Sequence, residues 1–401
     1  MTAVQRSPAP ASSPTPETIE VELTAMGPGG EAIGTYDGRQ VFAAFGIPGE
    51  RVELEVWERR PDHIRGAVTR VLRPSPRRIQ APCAYFGTCG GCQWQHIAYQ
   101  HQLTYKREMV AASLAGSGFT DVPVLPTLPA PQVYGYRNQG RFSVGRRHGE
   151  AGFTTHHRHH FLPIASCALM DPRINEILAV SQRRAHGHQL NVRVGIRTGD
   201  LMVLPRQIDP DLPYESGQTA LEEELLGRRF RISAPAFFQV NTLQAERLVE
   251  TVRDTLDPRP DDVLLDLYCG VGTFGLLLAP LVRRVIGVEE SAAALTDARH
   301  NARDLDNVEF LVGRTEEVLP TIAGEVSAAV VDPPRIGCRP GALEALLAMA
   351  PPRLIYVSCD ASSLARDLRV LADGGFALHS VQPVDMFPQT YHVETVALLT
   401  R

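Results

Sequence analysis

The sequence predicts an α/β fold with a parallel sheet over residues 236–401, preceded by a small OB-like β-barrel over 17–73 and a β-rich central domain over 74–235. Three observations predict it. Short β-rich runs separated by glycine turns fill Ile19 to Val71, the spacing of a small barrel. Cys83, Cys89 and Cys92 crowd into ten residues just beyond the Pro-rich stretch Pro74-Ser75-Pro76, which reads as a linker. From Asp262 onward, apolar runs alternate with helical stretches, and several runs close on an acid or a thiol, as parallel strands with crossover helices do.

In chain order, Met1 to Pro16 is rich in Pro, Ser and Ala and lacks the apolar core of a signal peptide. A disordered tail on a cytoplasmic, monomeric protein is expected. No stretch approaches the ~20 apolar residues of a membrane span. The net charge of −5 argues against a wholly basic nucleic-acid coat. Residues 51–80 nevertheless hold eight arginines against four acids, a candidate local basic path.

The cysteine cluster reads Cys83-x5-Cys89-Gly-Gly-Cys92. In a cytoplasmic chain such a cluster favours metal over disulfides, and glycines let backbone wrap closely around it. Cys167 is the best candidate for a fourth ligand. Four thiolates suit a [4Fe–4S] cluster or a structural zinc, and ligand chemistry alone leaves both open. A helix is expected within 94–118, since Trp94 to Leu114 lacks Gly and Pro and spaces its apolar residues helically. The run His156-His157-Arg158-His159-His160 is polar and poorly spaced for one helix face, so it reads as a solvated loop. Strands are expected at 136–144, 192–203 and 228–232.

The C-terminal domain opens with Phe237-Phe238-Gln239-Val240-Asn241, with Asn241 placed to cap the helix after it. Asp262 to Gly275 is a buried strand running into Gly270-Val271-Gly272 and an apolar helix. The next strand ends in Glu289, an acid placed to accept both hydroxyls of a ribose. Ala328 to Val331 runs into Asp332-Pro333-Pro334-Arg335, where the prolines stiffen the loop and fix the aspartate. Leu354 to Ser358 runs into Cys359, and the closing segment carries Glu394. Alone, Cys359 reads as a packed thiol and Glu394 as a surface acid.

Together, the Cys-x5-Cys-Gly-Gly-Cys cluster, Phe-Phe-Gln-Val-Asn, Asp-Leu-Tyr-Cys-Gly-Val-Gly-Thr-Phe (266–274), Asp-Pro-Pro-Arg, Val-Ser-Cys-Asp and His-Val-Glu-Thr-Val resemble the bacterial RNA (uracil-5-)methyltransferase family over nearly the whole chain. Gly27-Pro28-Gly29-Gly30, Asp37-Gly38 and Pro48-Gly49-Glu50 resemble its TRAM domain, an RNA-binding barrel. The resemblance implies a Rossmann-like class I methyltransferase domain, a TRAM barrel and a central iron–sulfur domain. It implies S-adenosylmethionine lined by Gln239, Tyr268, Thr273, Glu289 and Asp332, and a [4Fe–4S] cluster on Cys83, Cys89, Cys92 and Cys167. Related members carry Asn where this chain has Thr273. The helix after Cys92 is implied to pack on the methyltransferase domain.

The implied chemistry is attack of Cys359 on uracil C6, methylation at C5, and removal of the C5 proton by Glu394. A base that reaches a buried thiol must leave its stack. The favoured partner is 23S rRNA, with the tRNA T loop as the alternative. An RNA cytosine-5 methyltransferase is a further alternative, but such enzymes place a Cys where this chain has Pro333-Pro334-Arg335. From a different class, an RNA-binding cluster protein with an inactive methyltransferase fold is opposed by the intact Asp332, Cys359 and Glu394. Cys269 and Cys338 then read as structural, and Cys359 is expected to be a reactive thiol in RNA-free protein.

Overall fold

The computed structural model describes residues 17–145, 149–157 and 159–401; the expected tail over 1–16 and Arg158 of the histidine run lie outside the described residues. The chain divides into two compact units, 1–78 and 79–401.

The first unit is a closed barrel of β1 (Thr18–Met26), β2 (Ala32–Tyr36), β3 (Arg39–Ala44), β4 (Arg51–Arg59) and β5 (His63–Arg73), in the order β1-β2-β3-β5-β4. Strict alternation builds it: Ile19, Val21 and Leu23 point inward while Glu20 and Glu22 face water. The arginine-rich stretch is not an unbalanced basic path. Arg51, Arg59, Arg60, Arg65, Arg70 and Arg73 pair with Glu20, Glu17, Glu58, Glu31, Glu53 and Glu22. Four of those glutamates precede residue 51, so a count within the stretch misses them. Such exposed pairs contribute only about 0–1 kcal/mol each, but they cancel local charge. Glu50 differs: fully buried, it accepts from the backbone of Ile47 and Ser75 and holds Arg78 at 2.6 Å.

The second unit begins with the cysteine segment and α1 (Tyr99–Gly116). A five-stranded sheet follows, built from β6 (Gln139–Val144), β7 (Ala151–Thr154), β8 (Phe161–Pro163), β9 (Gln189–Val194) and β10 (Leu201–Leu204), with α2 (Pro172–Ser181) against β9. The hairpin β11 (Ala220–Leu225) and β12 (Arg228–Ser233) and then α3 (Thr242–Leu256) come next. The side chain of Asn241 caps α3 by accepting from the backbone N–H of Gln244.

The main sheet contains β13 (Val263–Leu267), β14 (Arg284–Glu289), β15 (Val308–Val312), β16 (Ala328–Val331), β17 (Arg353–Ser358), β18 (Ala377–Val384) and β19 (Glu394–Thr400). Its connecting helices are α4 (Thr273–Leu278), α5 (Ala292–Asn301), α6 (Thr315–Val318), α7 (Pro340–Met349) and α8 (Ala361–Asp373). The strand order is β15-β14-β13-β16-β17-β19-β18. Every residue of β13 and β16 is buried, which is why these runs are apolar without alternation. The order reverses between β13 and β16, leaving a crevice at their carboxyl ends.

Two sets of contacts tie earlier segments to the main sheet and its helices, the second being the packing implied for the helix after Cys92. The β11–β12 hairpin packs on α5, whose Asp297 accepts from the backbone of Ser233 at 2.7 Å and holds Arg231. The α/β part therefore reaches back past residue 236. Helix α1 packs on α8 and β18, and the chain after it runs parallel to β18, with Leu125 N–H donating to Val381 O and Leu128 N–H to Pro383 O.

Candidate active site

The carboxyl ends of β13, β14, β16 and β17 open on one cleft of about 530 Å³, whose walls bring together Gln239, Tyr268, Glu289, Asp332, Cys359 and Glu394. Parallel strands deliver four of these residues. Glu394 arrives differently: β19 is antiparallel to β17, so its first residue lies at the carboxyl edge of the others, where Thr395 pairs with Ser358. The Thr395 hydroxyl donates to Ser358 O at 3.0 Å and fixes that register. Cys359 then sits between β17 and α8, directly before the N-cap Asp360, whose carboxylate accepts from Ser362 and Ser363 N–H.

Helix α8 also holds the loop that carries Asp332. The Ser363 hydroxyl donates to Arg335 O at 3.0 Å, and Arg366 donates to Ile336 O at 2.7 Å. Buried Asp367 accepts from Cys338 N–H at 2.7 Å and from the Tyr356 hydroxyl at 2.5 Å. Asp332 and Cys359 are thus fixed by one helix.

The turn after β13 places Tyr268 at φ 60°, Gly270 at φ 57° and Gly272 at φ 90°. Tyrosine in the left-handed region costs roughly 1–2 kcal/mol, and its hydroxyl is held there by Thr315 and Cys338. Glu289 accepts from Gly270 N–H at 3.1 Å and from Ser291 N–H at 2.8 Å. Gln239 is set by the central sheet, where the Asn138 amide donates to Gln239 O at 2.9 Å.

Burial pushes Asp332 up to about 7. Burial, with the charge of Asp332 added, pushes Glu394 up to about 8. A carboxyl near 8 is poised to exchange a proton around neutral pH. Cys359 departs from the expected reactive thiol: burial first, then Glu394 and Asp332, push it up to about 12, with Arg335 pulling the other way. Only about one such thiol in 10⁵ is ionised at pH 7, so it is a poor nucleophile in RNA-free protein.

Thr273 is not among the cleft's lining residues; it begins α4 just beyond the glycine turn. Arg335 does line the cleft, bonded to Tyr391 and 3.7 Å from Asp360. Its position in Asp-Pro-Pro-Arg is the signal that marks it. Phe237 and Ile336 also line the cleft and are 70% and 73% exposed, which no sequence pattern indicates.

A separate cavity of about 190 Å³ is lined by Cys83, Cys89, Cys92 and Cys167, together with Arg137, Arg141 and apolar side chains. Burial raises Cys89 and Cys167, and pushes Cys92 up to about 12. Among the described residues, no three or more His, Cys, Asp or Glu side chains are gathered as a metal-holding group. The described part of the histidine run packs on the cysteine loop through backbone, His156 N–H donating to Thr88 O.

The tRNA (Uracil-5-)-methyltransferase family profile matches residues 217–401. An uncharacterised RNA methyltransferase of Thermosynechococcus vestitus is 38% identical, across 96% of this chain and 98% of that one. One from Gloeobacter violaceus is 36% identical, across 96% and 97%. The Pyrococcus abyssi tRNA (uracil-54, C5)-methyltransferase, solved with S-adenosyl-L-homocysteine, superposes with a TM-score of 0.74 at 26% identity, covering 95% of this chain and all of that one.

Proposed function

Because the chain belongs to the RNA (uracil-5-)methyltransferase family and is an S-adenosylmethionine-dependent RNA methyltransferase, we propose that it makes 5-methyluridine through a covalent adduct on Cys359. The observation that carries this reading is the meeting of Cys359, Glu394 and Asp332 in one cleft.

The cleft fits S-adenosylmethionine. The backbone turn at Tyr268–Gly272 opens toward it, and Glu289 at the end of β14 is placed for ribose hydroxyls. Gln239, Tyr268 and Asp332 line the rest, whereas Thr273 lies outside. When bound, the cofactor supplies the methyl group that uracil C5 takes up. Cys359 passes its thiol proton to water as Sγ bonds to C6, and the C5=C6 pair moves toward C5 as an enolate. After C5 gains the methyl, Glu394 takes the C5 proton. The pair left behind restores C5=C6 and expels Cys359 as a thiolate, which regains its proton from water. Overall, one methyl replaces one proton.

The four cysteines fit a [4Fe–4S] cluster. They line one largely apolar cavity with Arg137 and Arg141, whose charge would offset the thiolates; metal would draw the four side chains together and take the place of the protons that burial holds on them. Anaerobically purified protein is expected to carry about four irons per chain and to absorb near 400 nm, roughly where such clusters do. Cys167→Ser is expected to lose that iron. Stoichiometric zinc without iron overturns the assignment.

The barrel is read as a TRAM domain and the substrate as 23S rRNA, by the motifs at 27–30, 37–38 and 48–50 and by the cysteine set. A tRNA T-loop uridine is the second reading, favoured by the similarity to the P. abyssi tRNA enzyme. Incubating the protein with S-adenosylmethionine and each RNA, then digesting to nucleosides, is expected to yield 5-methyluridine and no 5-methylcytidine. Mapping the modified position decides between the RNAs; 5-methylcytidine as the product ends the uridine reading.

A further inference from the structure

The segment between β18 and β19, Asp385 to Val393, leads straight into Glu394 and has few regular backbone partners of its own. It is held instead by the stretch that follows Cys92. Gln93 and Trp94 N–H both donate to Gln389 O, at 3.2 and 3.0 Å. The buried Gln102 side chain makes a reciprocal pair with Gln389: its Nε2 donates to Gln389 Oε1 at 3.0 Å, and its Oε1 accepts from Gln389 N–H at 2.9 Å. The same Nε2 donates to Ile97 O at 2.9 Å, tying the pair to the start of α1.

One turn further along α1, Lys106 is fully buried. Its Nζ donates to Asp385 Oδ1 at 2.5 Å and to Phe387 O at 3.0 Å, and lies 5.9 Å from the centre of the Trp94 ring. Tyr99 also reaches Asp385. From the other side, the Tyr136 hydroxyl donates to Pro388 O at 3.0 Å and the Asn241 amide to Met386 O at 3.1 Å. Gln389 itself sits at φ 72°, a backbone state that glutamine holds only where its surroundings impose it.

A buried lysine paired with a buried aspartate adds little net stability over an apolar pair, so its presence calls for another role. Here both charges end on the loop that sets the entry of β19. Side chains that act in proton transfer need placement within about 0.5 Å, and a 1 Å error costs about 10²-fold in rate.

We infer that Gln102 and Lys106 are positioning residues that hold the Asp385–Val393 loop so that Glu394 meets the C5 proton. Neither touches the cleft, so both act through the loop. The inference rests on the reading of Glu394 as the base.

That reading makes the two kinds of failure separable. If Glu394 is misplaced, methyl transfer still occurs once, but elimination of Cys359 stalls and protein remains joined to RNA. We test Gln102→Ala and Lys106→Met with labelled S-adenosylmethionine and substrate RNA, measuring turnover, the label in a denaturation-resistant protein–RNA band, and the thermal midpoint. Expected are a ~10²-fold loss of turnover and an accumulated, methyl-labelled band. Gln389→Gly, whose backbone suits glycine, is expected to fold as the parent and to show the same band with about a tenfold loss. Glu394→Gln is the reference. If it traps the adduct and the three variants do not, positioning is overturned, even where turnover falls. If Glu394→Gln traps nothing, the base assignment is wrong and the inference falls with it.

Discussion

Replacing Cys359 with Ala is expected to abolish 5-methyluridine formation, by about 10⁴-fold or more, and to leave the fold intact. The size follows from the chemistry: without sulfur at C6, C5 of uracil has no enolate character with which to take a methyl. The tolerance follows from the structure. Cys359 is half-buried at a strand–helix junction whose geometry is set by its neighbours, Ser358 through its ladder to β19 and Asp360 through its cap on α8. Gln239, Tyr268, Glu289 and Asp332 stand on other elements, so cofactor affinity is expected to change by less than about threefold. Transfer of labelled methyl into RNA, with cofactor titration and a thermal melt on the same sample, checks all three. Full 5-methyluridine formation by the alanine variant ends the covalent mechanism.

Glu394→Gln is expected to methylate once and stop. Multiple turnover falls by about 10²–10⁴-fold, and a covalent protein–RNA species persists through denaturation. In the parent enzyme, burial and Asp332 place Glu394 near 8. The base is active when deprotonated, so elimination is expected to speed up about tenfold per pH unit below 8 and to level off above it. Stability runs the opposite way. The folded value lies above the ordinary 4.5, so the contribution of the neutral carboxyl is complete below about pH 4.5 and is lost as pH rises through 8. Glu394→Gln is therefore expected to melt higher than the parent at pH 9, by the equivalent of a few kcal/mol, and to match it at pH 5. Equal melting points at pH 9 contradict a buried Glu394.

The strand ends are legible in the sequence because chemistry and periodicity change at the same residue. Val331 to Asp332 and Ser358 to Cys359 each pass from apolar run to reactive group, and the two runs lie side by side as β16 and β17. Asn241 is legible for a similar reason, since its side-chain oxygen accepts from Gln244 N–H in the first turn of α3. What is not legible depends on contacts across long stretches of chain. Lys106 and Asp385 are separated by 279 positions, and neither shows in its own surroundings that the other neutralises it. The barrel arginines look unbalanced because four of their glutamates lie 31 to 51 positions earlier in the chain. Thr273 directly follows the glycines in sequence, yet it begins α4 and is not among the residues that line the cleft. The thiol of Cys359 is legible as a residue but not as an ionisation state, which burial decides first and two acids from elsewhere in the chain reinforce.

The run over 123–128, laid along the outer edge of β18, bears on how this enzyme can be divided. A fragment that starts at the β11 hairpin contains every residue of the cleft, yet it bares a row of backbone donors and acceptors on β18 and strands Asp385 without its lysine. Such an edge invites self-association, and a lone buried charge opposes folding. The catalytic half is therefore not a transferable cassette. Truncation or fusion to other proteins is expected to need the cysteine segment and α1 carried along, and both lie within the compact unit 79–401.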